Sequence, residues 1–139
     1  MADPALKQVI GDEAAVVALI DKALEITQSD DFNPYFDLFS DDARWMMPSS
    51  FEDVGIEDAK SFYGFTSKFR FEQNTKVEQI LLSGDLAFAR VSLDGYLKPK
   101  NDPDAAPLRS ISRHIWIIQR QADGAWKITH DIWNNPRAK

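Results

Sequence analysis

The sequence contains no cysteine, which excludes a disulfide framework, a thiolate nucleophile and a thiolate metal site together. Histidine is nearly as scarce: His114 and His130 are the only two, too few for the usual zinc ligand sets. No metal and no cofactor is expected on these grounds. Basic residues are outnumbered, 16 lysines and arginines against 22 acidic residues for a net charge of −6. That balance argues against nucleic acid or an anionic membrane as a main partner. Long apolar runs are also missing. None approaches the ~20 residues needed to span a bilayer, and the N-terminus does not resemble a signal peptide, so a cytoplasmic location is expected. At 139 residues the chain reads as one domain, 1–139, able to bury roughly two-thirds of its unfolded surface.

What the sequence does have is a β-hairpin pattern near its end. Arg109–Gln121 and Trp126–Pro136 are β-branched and aromatic-rich runs flanking Asp123-Gly124, a strong short-range hairpin signal. Alternation places Ile111, Ile115 and Ile117 with Arg109 and Arg113 on one face, and Ser110, Ser112, His114, Trp116 and Ile118 on the other. In the second run, Trp126, Ile128, His130 and Ile132 oppose Lys127, Thr129, Asp131 and Trp133. A sheet apolar on both faces is covered on both sides. Polar residues among indoles, such as His114 and Asp131, point to a lined cavity under one covering.

Upstream, Asp12 is placed to cap a helix over 13–28, whose apolar positions recur at helical spacing. Asn33-Pro34 opens a second helix over 34–39 in a favoured way. A strand over 43–47 follows, closed by Pro48, then a third helix over 56–67. Residues 68–74 carry Phe69 and Phe71 and read as a flap over an opening. Strands over 75–82 and 86–97 come next, then a proline-rich solvated loop over 98–107. Helices first and a long meander after indicate an α+β domain.

Several words in this order resemble the nuclear transport factor 2-like superfamily, which includes ketosteroid isomerase, scytalone dehydratase and SnoaL-like polyketide cyclases. They are Phe39-Ser40-Asp41-Asp42-Ala43, Gly55-Ile56-Glu57, Ser83-Gly84-Asp85-Leu86-Ala87, and Asp123-Gly124-Ala125-Trp126-Lys127-Ile128 with Asp131-Ile132-Trp133-Asn134. The resemblance covers residues 12–135. It implies a cone-shaped domain of three N-terminal helices on a strongly curved, mostly antiparallel sheet, a deep apolar pocket between them, and often a dimer through the outer sheet face. The isomerase chemistry does not carry over. Met47 stands where that family's carboxylate base precedes a proline, Ala23 near its oxyanion tyrosine, and Trp116 near its acidic partner. Residues 68–72 lack the dehydratase histidine. Tyr63 does match a pocket tyrosine of the isomerases.

The candidate catalytic residues are therefore His114, Asp131 and Tyr63. Histidine ordinarily titrates near neutrality and suits a general base. Asp131 on the adjacent strand is costly to bury without a donor, and His114 is the nearest one. Trp45, Met47, Phe62, Phe69, Phe71, Trp116, Thr129 and Trp133 are candidates for binding the substrate, with indoles suited to a polycyclic or terpenoid-like apolar molecule. His130 reads as structural, and Arg113 as an interface ion-pair partner. Ile111, Ile115, Ile117, Trp126, Ile128 and Ile132 form a stripe expected to close a homodimer. Two classes of function remain open. One is a cofactor-independent cyclase, dehydratase or isomerase using acid–base chemistry. The other is a non-catalytic ligand-binding or dimerisation domain.

Overall fold

The structure, a computed structural model, describes residues 4–138. Its elements run α1 (Pro4–Thr27), a 3-10 turn (Asn33–Leu38), β1 (Phe39–Met46), α2 (Ile56–Phe62), a second 3-10 turn (Tyr63–Ser67), β2 (Phe69–Ser83), β3 (Leu86–Pro99), β4 (Leu108–Arg120) and β5 (Trp126–Asn134). The five strands make one curved sheet in the order β1-β5-β4-β3-β2, with β1 parallel to β5 and every other pair antiparallel. This is the expected α+β arrangement, helical elements on one face of a mostly antiparallel sheet. Val16, Ile20, Ala23, Leu24 and Thr27 recur three or four residues apart and are all buried, so α1 lays one stripe on the sheet. Their core partners include Ala87, Ala89, Val91, Ile118 and Ile128.

The helical elements differ in detail from their sequence expectations. α1 begins at Pro4, well before position 13. Proline suits a first helical turn, but Leu6, Val9 and Ile10 in that extension are exposed, so no buried stripe announces it. Asp12 is consequently inside the helix and caps nothing. It is buried and ion-paired with Arg120 at the end of β4. The second helix is a 3-10 turn, where Asp31 Oδ1 accepts from the Asn33 N–H at 3.1 Å and Asn33 supplies no side-chain cap. The third is a short α-helix continued by a 3-10 turn.

Residues 69–74 are strand, not flap: Phe69 to Asn74 pair with Pro99 to Asp94 in register. The approach there is close. A Cβ added to Gly95 would lie 2.2 Å from the Glu72 carbonyl oxygen and 2.6 Å from Gln73 Cα, so only glycine lets β2 cross β3 at this point. The hairpin turn matches the Asp123-Gly124 signal. Gly124 takes φ 88°, and Asp123 Oδ1 accepts from the Ala125 N–H at 2.9 Å.

The largest departure lies in β5. Its register against β4 shifts between Ile117 and Ile118, which pair with His130 and Ile128, so Thr129 is an extra residue. Such a bulge reverses side-chain parity along the strand. Asp131 and Trp133 face inward as expected, but so do Trp126 and Ile128, both buried in the core. The expected six-residue outer stripe is therefore shorter. Its members on the outer face are Ile111, Ile115, Ile117 and Ile132.

Candidate functional site

Strand pairing assembles the site. Trp133 lies directly opposite His114 across the β4–β5 ladder, and Asp131 directly opposite Trp116. Asp131 is thus the diagonal neighbour of His114 on the same face, a separation that these side chains can bridge. They do meet: His114 Nδ1 and Asp131 Oδ1 are 2.7 Å apart. A carboxylate accepts only, so Nδ1 carries the proton. Nε2 is then an acceptor, and the Ser112 hydroxyl donates to it at 3.0 Å. Ser112 lies two residues before His114 and shares its face by strand alternation. The result is a chain Asp131–His114–Ser112 running from the core, where Asp131 is 0% exposed, to His114 at 7% and Ser112 at 9%. The imidazole is stacked on the Trp133 indole at 5.1 Å, which further fixes its plane.

That chain ends in a cavity of about 190 Å3. Phe32, Tyr35, Phe62, Tyr63, Phe65, Phe71, Trp116 and Trp133 wall it, together with His114 and Ser112. The rings brace one another, Phe32 stacking on Tyr63 at 4.8 Å and Phe62 meeting Trp133 at 6.0 Å. One side is polar. Gln28 and Gln73 exchange hydrogen bonds, and the Gln73 amide donates onward to Ser110 Oγ at 3.1 Å. The Tyr35 and Tyr63 hydroxyls make no hydrogen bond among the described residues. Burial raises both phenol pKa values well above the ordinary tyrosine range, and the negative charge of Asp131 adds to the effect, joined for Tyr35 by Tyr63. Both phenols therefore remain protonated donors at neutral pH.

Among the described residues three buried side-chain polar atoms lack partners: Asp131 Oδ2 and the indole N–H groups of Trp45 and Trp116. Trp45 and Trp116 are the direct neighbours of Asp131 on its two sides. One acceptor and two donors thus sit on adjacent strands behind the cavity. A larger depression of about 590 Å3 near Arg70, Asp94 and Arg109 is open. Its charged side chains are occupied with one another, as in the Arg109–Asp94 pair at 2.6 Å. Among the described residues no group of three histidine, aspartate or glutamate side chains is arranged to hold a metal ion. No helix among them is long and apolar enough to cross a membrane.

Of the residues singled out from the sequence, His114, Tyr63, Phe62, Phe71, Trp116 and Trp133 line the cavity, with Asp131 directly behind His114. Four do not line it. Trp45 is fully buried against Phe39 at 4.5 Å, and Met47 is core. Phe69 lies outside the lining. Thr129, at the bulge, spends its hydroxyl on Gln119, His130 and the Ile117 carbonyl. His130 is half-buried beside Thr129, and the exposed Arg113 meets Asn134 Oδ1 at 3.3 Å without an ion-pair partner among the described residues. Sequence reasoning missed Tyr35 and gave Ser112 no role. The i, i+2 spacing of Ser112 and His114 was visible, whereas Tyr35 enters only because the 3-10 turn carries it over the sheet.

Solved structures share this architecture. A ketosteroid isomerase-like protein from Erwinia carotovora atroseptica superposes with a TM-score of 0.75 at 16% identity, covering 90% of this chain and 96% of that one. A nuclear transport factor 2-like protein from Novosphingobium aromaticivorans gives 0.70 at 14% identity, covering 100% and 94%. This is the nuclear transport factor 2-like fold. A protein provisionally assigned as a scytalone dehydratase, also from Novosphingobium aromaticivorans, shares the nuclear transport factor 2-like fold at a TM-score of 0.71 and 14% identity, covering 95% and 89%. No protein-family profile and no curated protein matches the sequence itself. At such identities a nuclear transport factor 2-like fold leaves the chemistry to be argued from this chain's own side chains.

Proposed function

We propose that this protein binds a small cyclic carbonyl compound and moves a proton on it without a cofactor, as an isomerase, dehydratase or cyclase does. The observation that carries the reading is the Asp131–His114–Ser112 chain ending in an aromatic cavity beside two unpaired phenols. Asp131 holds the imidazole tautomer and stabilises the imidazolium that forms. Rotation about χ1 of Ser112 opens Nε2 to the cavity, where it accepts a proton from carbon next to the carbonyl. Tyr63 and Tyr35 donate to the oxygen as negative charge develops on it. Their raised pKa values suit donation and oppose their own ionisation.

The cavity volume narrows the substrate. An engineered apolar cavity of about 150 Å3 holds benzene, so about 190 Å3 fits one ring, smaller than the polycyclic or terpenoid-like molecule the indoles alone evoke. The test is proton NMR of cyclohexanone in D2O, following exchange of the hydrogens beside its carbonyl. The protein should accelerate exchange, His114→Ala should lower the rate by ~100- to 10,000-fold, and Tyr63→Phe should lower it while keeping the fold. No acceleration over buffer, or full activity in folded His114→Ala, would overturn the reading. Binding without exchange would favour a ligand-binding role instead. That alternative has an observation of its own, since both nitrogens of His114 are already occupied.

We also propose a homodimer through the outer sheet face. Ile115 and Ile132 pair across β4 and β5 and are 36% and 44% exposed, next to Ile111 and Ile117. Light scattering should give twice the chain mass, and Ile115→Lys should halve it. A monomeric wild type at micromolar concentration would exclude the assembly.

A further inference from the structure

Ser112 has a second capability that proton transfer does not use. We propose that Ser112, His114 and Asp131 act as a nucleophilic relay that takes short acyl groups from activated esters, making this cavity an acyl-transfer site. The three side chains stand in the order that activates a serine hydroxyl. The hydroxyl donates to Nε2 at 3.0 Å, and Nδ1 donates to a fully buried carboxylate at 2.7 Å. Such a constellation is recognised by geometry and roles, independent of fold or chain order. Here it uses sheet geometry alone, with two alternate residues of β4 and a diagonal neighbour on β5.

The surroundings fit the chemistry. Ser112 Oγ lies at the cavity wall and has a base but no competing donor on it among the described residues. Tyr35 and Tyr63 line the same cavity, and their hydroxyls, without hydrogen-bond partners among the described residues, are the donors this reading assigns to a developing oxyanion. Half of the sixteen lining residues are phenylalanine, tyrosine or tryptophan, which suits a short apolar acyl chain. A cavity of about 190 Å3 selects small acyl and alcohol groups.

The step balances with water as the only co-reactant. Ser112 Oγ bonds to the ester carbonyl carbon while its proton passes to His114 Nε2. The carbonyl electron pair moves to oxygen, which takes hydrogen bonds from the phenols. The tetrahedral species collapses, the bond to the alkoxy oxygen breaks, and that oxygen leaves with the proton from Nε2. Water then adds to the acyl-serine, giving its proton to Nε2, and collapse releases the carboxylic acid and restores the Ser112 hydroxyl with that same proton.

The activity shares His114 and Asp131 with the proton-transfer reading and differs from it in needing Ser112 as the nucleophile. p-Nitrophenyl acetate is the probe. Release of p-nitrophenolate is followed optically, and acid-quenched protein is mapped by mass spectrometry. Wild-type protein should carry one acetyl group on Ser112 and turn over. Ser112→Ala should lose the adduct and ~100-fold or more of the rate. This variant removes only a hydroxyl, and circular dichroism checks its fold. Acetyl on lysine, tyrosine or the N-terminus in place of Ser112 would overturn the proposal. So would hydrolysis that survives Ser112→Ala and is lost in His114→Ala, which would make the imidazole the acetyl acceptor. Cyclohexanone exchange measured on the same Ser112→Ala protein separates the two readings. If exchange persists while acetylation is lost, both stand. If acetylation of Ser112 occurs and no exchange is seen in wild type, only the proton-transfer reading fails.

Discussion

The inner face of the sheet has two ends, and they are built to different rules. At one end, Ile118, Ile128 and Trp126 meet Val16, Ile20 and the rest of the α1 stripe, filling the space with aliphatic and indole volume. A charged cluster sits at its margin, where Arg120 holds Asp12 and Asp85 and lies over the Trp126 ring. At the other end, the same two strands present Ser112, His114, Asp131 and Trp133, and the helical cover is a pair of short 3-10 turns. Those turns supply rings that brace one another and meet the sheet at Trp133 and Phe71, around a gap that they do not fill. The bulge at Thr129 separates the two ends. Without it, one half of β5 would face outward, and either the packed core or the polar chain would be lost. A long regular helix fills space. Short turns rich in aromatics leave a cavity.

Changes at each end should therefore register differently. The largest effect belongs to the packed end: Ile128→Ala should cost about 2–5 kcal/mol in urea denaturation, the range for a large-to-small change in a filled core. A cost near zero would mean that this end is no better packed than the other. At the cavity end, Asp131→Asn should change stability by no more than about 1 kcal/mol, because it removes a buried charge whose Oδ2 already lacks a partner. It should nonetheless lower cyclohexanone exchange by ~100-fold, since an amide can donate to Nδ1 and no longer holds the tautomer. Large destabilisation with little rate change would reverse the assignment of the two ends.

Smaller effects come from titration. Tyr35 and Tyr63 have pKa values raised in the folded state, first by burial and then by Asp131. Their contribution to stability is complete below the unfolded tyrosine value of about 10 and is lost as pH rises above it. The melting temperature should fall there, and Tyr35→Phe or Tyr63→Phe should flatten the fall. A profile identical to wild type in both variants would remove the phenols from the account. At the packed end the sign is opposite. Arg120 holds the Asp12 carboxyl below its ordinary value, outweighing burial. The stability that Asp12 contributes is present above the ordinary carboxylate range and is lost as pH falls through the lowered value. Asp12→Asn should make the acid limb shallower, while an unchanged limb would show the pair to be indifferent. The smallest expectation is a control: His130→Gln, whose side chain alternates to the opposite face from Asp131 and meets Thr129, should leave exchange unaltered.

Much of this was legible in the chain, because it depended on neighbours in sequence. The Asp123-Gly124 turn, the alternation of Ser112, His114 and Trp116, and the pairing of that strand with the one carrying Asp131 are local consequences of backbone geometry. From them alone the His114–Asp131 contact could be expected. Three things were decided only in three dimensions. The bulge at Thr129 has no residue signature of its own, since it arises from fitting one strand to a curved partner, and it moved Trp126 and Ile128 into the core. The α1 extension before Asp12 carries no buried stripe, so periodicity could not reveal it, and Asp12 took its role from Arg120, 108 positions away. Finally, the volume beside Ser112 depends on where Tyr35 and Tyr63 come to rest above the sheet. Sequence order prescribes which residues alternate along a strand, but the space between two layers is set by how both of them pack.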